Sequence, residues 1–273
     1  MFQTKRVRTQ RSAAASTLTL LYHHTVFKAR GTHNNAVIGL LLNMMQAFML
    51  LGVFYILFAV TGMRSAAIRG DFMLYLMSGV MIFMAHTKTM NSVAGSEAPG
   101  SALMQHTPMN TIVSMAGAAL SALYIQSATM FLSLLLYHSV MNEITIDNAV
   151  GAYGMVLMGW FTGAAVGVVF YAVRPWFPTA INVLRPLYMR VNMVASGKMF
   201  VANMLPPSML AMFDWNPLFH CIDQARGFTF INYYPRNSSI EYPLYVGLVL
   251  LVIGMMIEYI TRRKVSLSWA AKS

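Results

Sequence analysis

Two cations stand inside an apolar run. Arg190 and Lys198 both fall within residues 181–204, a stretch otherwise apolar enough to enter a membrane, and Arg185 precedes them. A cation at the middle of a membrane helix costs at least about 2.5 kcal/mol on insertion scales, so it needs a reason to be there. Either it faces an aqueous path, where it would attract an anionic cargo, or its long side chain snorkels to the nearer interface. Further along, Asp223 and Arg226 are three residues apart, a spacing that lets them pair on one helix face. The seven histidines, His23, His24, His33, His86, His106, His138 and His220, are scattered with no second ligand at metal-binding spacing. They read as interfacial polar residues, and no metal site is expected.

Motifs for bond-making chemistry are absent. Gly197-Lys198 lacks the upstream glycine spacing and the following hydroxyl residue of a phosphate loop, so the chain is not expected to hydrolyse ATP itself. There is no His-Glu-x-x-His, no Gly-x-Ser-x-Gly and no pair of carboxylates within one apolar run. Cys221 is the sole cysteine, which rules out an internal disulfide and a cysteine zinc site. No catalytic residue is assigned.

The elements that position these groups are membrane helices. Of the 273 residues 57% are apolar and 10% charged, against roughly 25% charged in soluble domains. Apolar runs at 36–62, 72–93, 111–138, 150–173, 181–204 and 242–260 each approach the roughly 20 residues that a bilayer core requires. The expected fold is therefore an all-α integral membrane protein with six transmembrane helices. The net charge of +11 is distributed between those runs and forms no single stripe, so topology accounts for it better than nucleic acid. Lys5, Arg6, Arg8, Arg11, Lys28 and Arg30 precede the first run, Lys88 follows the second, Arg174, Arg185 and Arg190 surround the fourth-to-fifth connection, and Arg262, Arg263, Lys264 and Lys272 follow the last. By the positive-inside rule both termini are cytoplasmic in a multi-pass chain. The basic N-terminus has no short apolar core with a cleavage site, so the first membrane helix is expected to target the chain.

Three connecting segments complete a single domain over 1–273. Residues 1–35 form a basic tail, with Leu18, Leu21, Tyr22, Val26 and Phe27 at helical spacing and His23, His24, Lys28 and Arg30 largely between them. This predicts an amphipathic helix lying on the inner membrane surface, or alternatively a plain basic anchor. Residues 92–110 carry Pro99, Gly100 and Pro108 around Ala102, Leu103 and Met104, which reads as a short cytoplasmic helix between breakers. Residues 205–241 are too broken to span yet rather apolar. Pro206-Pro207 opens one helix, Asn216 caps a second with Pro217 at its first position, and Gly227 is the expected stop. A periplasmic re-entrant helical hairpin between the fifth and sixth helices follows, tolerable at membrane depth only beside protein or a water-filled cavity. Spans 1–5 occupy 36–204, the sixth 242–260, and 261–273 is a cytoplasmic tail.

Aromatic residues cluster at Phe48, Phe54, Tyr55 and Phe58 and again at Tyr171, Trp176 and Phe177. They serve as interfacial belts and packing, or in part as flat faces on which sugar rings stack along a path. The 25 methionines are read as flexible packing.

In element order the whole chain resembles the permease subunits of type 2 ABC exporters, particularly those that export capsular polysaccharide, polysialic acid or O-antigen. Three stretches carry the likeness. Arg185-Pro186-Leu187-Tyr188, followed by Ala195-Ser196-Gly197-Lys198-Met199-Phe200 and Leu205-Pro206, is similar to the family's fifth span. Trp215-Asn216-Pro217-Leu218 with His220 and Arg226 resembles its periplasmic gate helix, and Gln105-His106-Thr107-Pro108 its cytoplasmic turn before the third span. The resemblance implies a homodimer in the bacterial inner membrane, bound to two separate nucleotide-binding subunits and moving a lipid-linked polysaccharide among membrane lipids. No cofactor is bound by this chain; ATP and Mg belong to the partner ATPase. It implies a cargo path at Arg190, Lys198, Phe54, Tyr55 and Phe58, and a periplasmic gate at Trp215, Asn216, Pro217, His220, Asp223 and Arg226. ATPase coupling falls to Glu97, Leu103, Gln105, His106, Tyr22 and Phe27. Two other readings stay open: an exporter of lipo-oligosaccharide, drug or lipid with the same fold, and a membrane scaffold that moves nothing.

Overall fold

Helix ends are set by side chains that answer free backbone amides. Asp71 accepts from the amides of Met73 (2.7 Å) and Leu74 (3.2 Å), Asn148 from Gly151 (2.9 Å) and Asn216 from Leu218 (3.0 Å), three N-caps placed just ahead of three helices. The computed structural model describes residues 10–30, 36–62, 68, 70–97 and 110–270. Among them the regular structure is helical: α1 Gln10–Arg30, α2 Ala36–Val60, α3 Phe72–Ala94, α4 Thr111–Val140, α5 Ala149–Val173, α6 Pro178–Ala195, α7 Pro207–Leu210, α8 Pro217–Thr229 and α9 Glu241–Ala270, with a 3-10 turn at Ala202–Met204 between α6 and α7.

By length and composition α2, α4, α5 and α9 can each cross a membrane, which makes this a multi-pass membrane protein. The other two expected spans fall outside that set for different reasons. α3 has the length but turns polar at His86, Thr87, Lys88 and Thr89. It lies at the centre, packed against α2, α4, α5 and α8, and most of its residues are buried, so protein rather than lipid surrounds it. The predicted helix over 181–204 is overturned: α6 stops at Ala195, because Gly197 turns into the left-handed region at φ 73° and the chain then folds through a turn into the 3-10 segment. α6 keeps Pro186 inside it and buries only Ile181, Asn192 and Ala195.

Backbones approach most closely between α3 and α5. Gly159, Gly163 and Gly167 recur every fourth residue along α5 and face α3; a Cβ on Gly163 would come within 2.3 Å of the His86 carbonyl oxygen, and one on Gly167 within 2.8 Å of that of Met90. This is the small-residue spacing that lets membrane helices touch, used here within one chain. α9 packs on the other side of α5, and α8 closes one end of the bundle against both α3 and α5. The main core runs through Leu51 and Phe54 of α2, Tyr75 to Ala85 of α3, and Leu218, Cys221 and Ile222 of α8.

In α1 one residue, His24, is not where its spacing places it. His24, placed on the polar side by spacing, is buried against α4, where the absent side chain of Gly117 leaves room for its ring. Leu18, Tyr22 and Phe27 are exposed, so the apolar edge of α1 faces away from the chain.

Candidate functional site

The turn between α6 and α8 brings together two fully buried cations, Lys198 and Arg226. Arg226 on α8 is fully buried, and its guanidinium donates to three backbone carbonyls: Nη1 to Gly197 (2.9 Å) and Phe200 (2.7 Å), Nη2 to Lys198 (2.8 Å). These carbonyls belong to the turn that follows α6, and their converging oxygens suit a cation with several donors. The guanidinium also lies 4.1 Å from the centre of the Tyr75 ring on α3. The expected Asp223–Arg226 pair is thus not the bond that forms. Asp223 instead accepts from the hydroxyls of Tyr233 and Ser238, the latter at 2.6 Å, because its side chain points to the 230–240 loop while Arg226 points to the turn.

Lys198 is carried by that turn and is 1% exposed. Among the described residues its Nζ has no hydrogen-bond partner, and it stands 3.3 Å from the ring centre of Phe83 on α3 and 5.3 Å from that of Phe54 on α2. Gly79 on α3 makes the space; a Cβ there would lie 2.9 Å from the Cβ of Lys198. Of the residues expected along a cargo path, Lys198 and Phe54 are therefore brought together. Phe58 is buried against Phe72, Tyr55 is 39% exposed beside the same ring, and Arg190 is exposed on α6, away from the cage.

The gate residues form a second, linked group. Asn216 caps α8 and spends its amide on Asn192 Oδ1 and the Ala195 carbonyl, both at 2.9 Å, which ties the start of α8 to the end of α6. Pro217 follows at the first helical position, and the helix runs past the expected stop at Gly227 to Thr229, because Phe228 and Thr229 carbonyls accept from Asn148 and Asp147 ahead of α5. His220 Nε2 donates to the Asp214 carbonyl (2.6 Å) and its Nδ1 accepts from the Ser239 amide (3.1 Å), which makes it the neutral Nε2-H tautomer. Its ring lies 4.5 Å from that of Tyr242, whose hydroxyl donates to the Trp215 carbonyl. Trp215 itself is 55% exposed. The loop 230–240 is thereby fastened to α8 along its length.

Sequence reasoning missed how α6 is attached. Its inner face is a row of hydrogen bonds: Arg185 Nη2 to Asn91 Oδ1 (3.0 Å), Tyr188 hydroxyl to His86 Nε2 (2.9 Å), and Asn192 with Ala195 to Asn216. His86 Nδ1 lies 3.2 Å from the Gly159 carbonyl, a pure acceptor, so it carries the proton and Nε2 accepts from Tyr188. Residues 185, 188, 192 and 195 share one helix face, a period that was legible once the run was read for polar rather than apolar spacing. The opposite face, with Val183, Leu184, Leu187, Val191 and Val194, is exposed. Beside the row, α5, α6, α8 and α9 enclose a lateral cleft of about 260 Å³ whose polar end is Asn192, Asn216 and Trp215 and whose walls include Phe170, Val246 and Leu250.

At the opposite end, Glu97 pairs with Lys28 of α1 at 3.0 Å, while the Tyr171 hydroxyl donates to its carbonyl (2.8 Å), so the segment after α3 is joined to both α1 and α5. Tyr22 and Phe27 are exposed on α1. Leu103, Gln105 and His106 lie outside the described residues. Among the described residues no three His, Cys, Asp or Glu side chains converge.

No family model matches the sequence. It is similar to two Escherichia coli proteins, both described as polysialic acid transport protein KpsM, each 24% identical over 202 residues that cover 72% of this chain and 76% of theirs.

Proposed function

We propose that this chain is the permease subunit of an ATP-driven ABC transporter that exports a lipid-linked polysaccharide, of capsular or O-antigen type, across the bacterial inner membrane. The likeness to polysialic acid transport proteins over 72% of its length carries the reading. On this reading α2 to α6 and α9 make six crossings with both termini cytoplasmic. α1 lies on the inner surface, and α7 and α8 dip into the outer half of the membrane as the gate. A second copy of the chain covers the apolar face of α6, where Val183, Leu187 and Val194 are exposed among the described residues. Two nucleotide-binding subunits dock against α1 and the segment after Glu97, and they hold the ATP and Mg. The Lys28–Glu97 bond supports that placement, since it joins those two elements.

Deleting the gene tests the proposal directly. Polymer is expected to accumulate in the cytoplasm while its synthesis continues; normal surface polysaccharide in the deletion strain refutes it. A second reading, an exporter of lipo-oligosaccharide, drug or lipid with the same fold, is favoured by the lateral cleft with its polar end. Unchanged polymer export with loss of an amphiphile from the outer leaflet would select it.

A further inference from the structure

We infer that Lys198 is a concealed oxyanion ligand for the cargo, covered by Phe54 and uncovered when α2 moves away from the turn. The inference rests on the permease reading and adds the chemical class of group that the site receives. Lys198 is fully buried, and among the described residues its ammonium has neither a hydrogen-bond acceptor nor a carboxylate partner. Buried cations are paired or functional, because an unpaired charge in a low-dielectric site is costly. Two aromatic faces give it partial compensation, at 3.3 Å and 5.3 Å.

The surroundings hold this one side chain in place at some expense. Gly197 takes a left-handed backbone directly before it, Gly79 removes a side chain beneath it, and Arg226 spends three hydrogen bonds on the carbonyls of 197, 198 and 200. Arg226 is thus a positioning residue for Lys198. The carboxylates buried nearby do not reach it: Asp223 is taken by Tyr233 and Ser238. What the ammonium lacks is an oxyanion, either a carboxylate on the polymer or a phosphate at its lipid end.

The cover belongs to a helix that is largely exposed. α2 buries Met44, Ala47, Leu51, Phe54 and Phe58 along one face and leaves the rest exposed or half-buried, and Phe54 is the residue that it lays over the ammonium. Displacing that one helix face opens Lys198 to a ligand while Phe83 and the turn stay where they are.

The test uses the assembled transporter in lipid nanodiscs with three probes: a sialic acid oligomer, its carboxyl-reduced neutral counterpart, and a long-chain isoprenyl phosphate. Lys198→Met keeps the length and apolar contacts of the stem, and its thermal stability is measured alongside. An ammonium–oxyanion hydrogen bond is worth about tenfold or more in affinity. Lys198→Met is expected to weaken an anionic probe about tenfold, to leave the neutral one unchanged, and to be rescued by Lys198→Arg. Loss with the oligomer alone assigns the carboxylate, and loss with the isoprenyl phosphate alone assigns the lipid end. Equal affinities in wild type and Lys198→Met for all probes, or no binding of either anion by the wild type, overturns the inference. The permease reading fails separately, by normal surface polymer in the deletion strain.

Discussion

Replacing Arg226 by methionine removes a donor from three carbonyls at once, and the magnitude follows from that geometry. The bonds to Gly197, Lys198 and Phe200 measure 2.7 to 2.9 Å, and those to Gly197 and Lys198 are buried, so water cannot take the place of the guanidinium there. Each carbonyl left without a donor costs about 1–3 kcal/mol. Against this, methionine relieves the burial of a cation that has no carboxylate partner, so the net loss is about 3–5 kcal/mol, less than the sum over three carbonyls. For a chain of this size that is a fall in Tm of roughly 10 °C. The assay is thermal unfolding in detergent, followed by the loss of the monodisperse peak in size-exclusion chromatography. Arg226→Lys, which keeps the charge but reaches fewer carbonyls, is expected to fall between wild type and Arg226→Met. A shift below about 2 °C for Arg226→Met would show that the turn is held by packing alone.

Gly163→Ala places a Cβ 2.3 Å from a backbone oxygen that cannot swing away, and is expected to cost at least about 1–3 kcal/mol, whereas Gly154→Ala, with open space around it, is tolerated; the same chromatographic assay compares them. Tyr188→Phe strips the donor from His86 Nε2 and is expected to raise hydrogen exchange across 185–195 by about five- to a hundredfold, the equivalent of roughly 1–3 kcal/mol; unchanged exchange would contradict the polar attachment of α6. At Asp71, burial pushes the carboxyl up, but the bonds from Tyr137, Leu74, Asn142 and Met73 together outweigh it and hold the group below its ordinary 3.8. A depressed carboxyl stabilises the fold above its ordinary value and loses that contribution as pH falls through the depressed one, so an acid-limb loss of Tm is expected below about pH 4 and is expected to be smaller in Asp71→Asn. An identical acid limb in both proteins would assign the loss elsewhere.

Most of the apolar architecture was legible because length and hydropathy are local properties: the runs at 36–62, 111–138, 150–173 and 242–260 each contain most of a helix that is long enough to cross a membrane. The Asn216-Pro217 start was legible for the same reason, since a cap and its proline are adjacent in sequence. What spacing could not give was the destination of a side chain. Asp223 and Arg226 have the separation of a pair, yet each finds a better partner in a segment distant in sequence, a hydroxyl in one case and a row of carbonyls in the other. His24 looked polar and exposed until Gly117 opposite it supplied a recess. The fifth run was read for hydrophobicity, which set its end too late; Ser196-Gly197 was the signal to stop.

The attachment of α6 has one more consequence. Greasy contacts slide, because one methyl serves nearly as well as the next, but hydrogen bonds do not interpolate. Advancing α6 by a single residue would carry it about 1.5 Å along its axis and turn it by about 100°, and Arg185, Tyr188 and Asn192 would then all lose their counterparts together. The helix therefore has no graded positions between seated and released. A small displacement of α6 is resisted by the whole row at once.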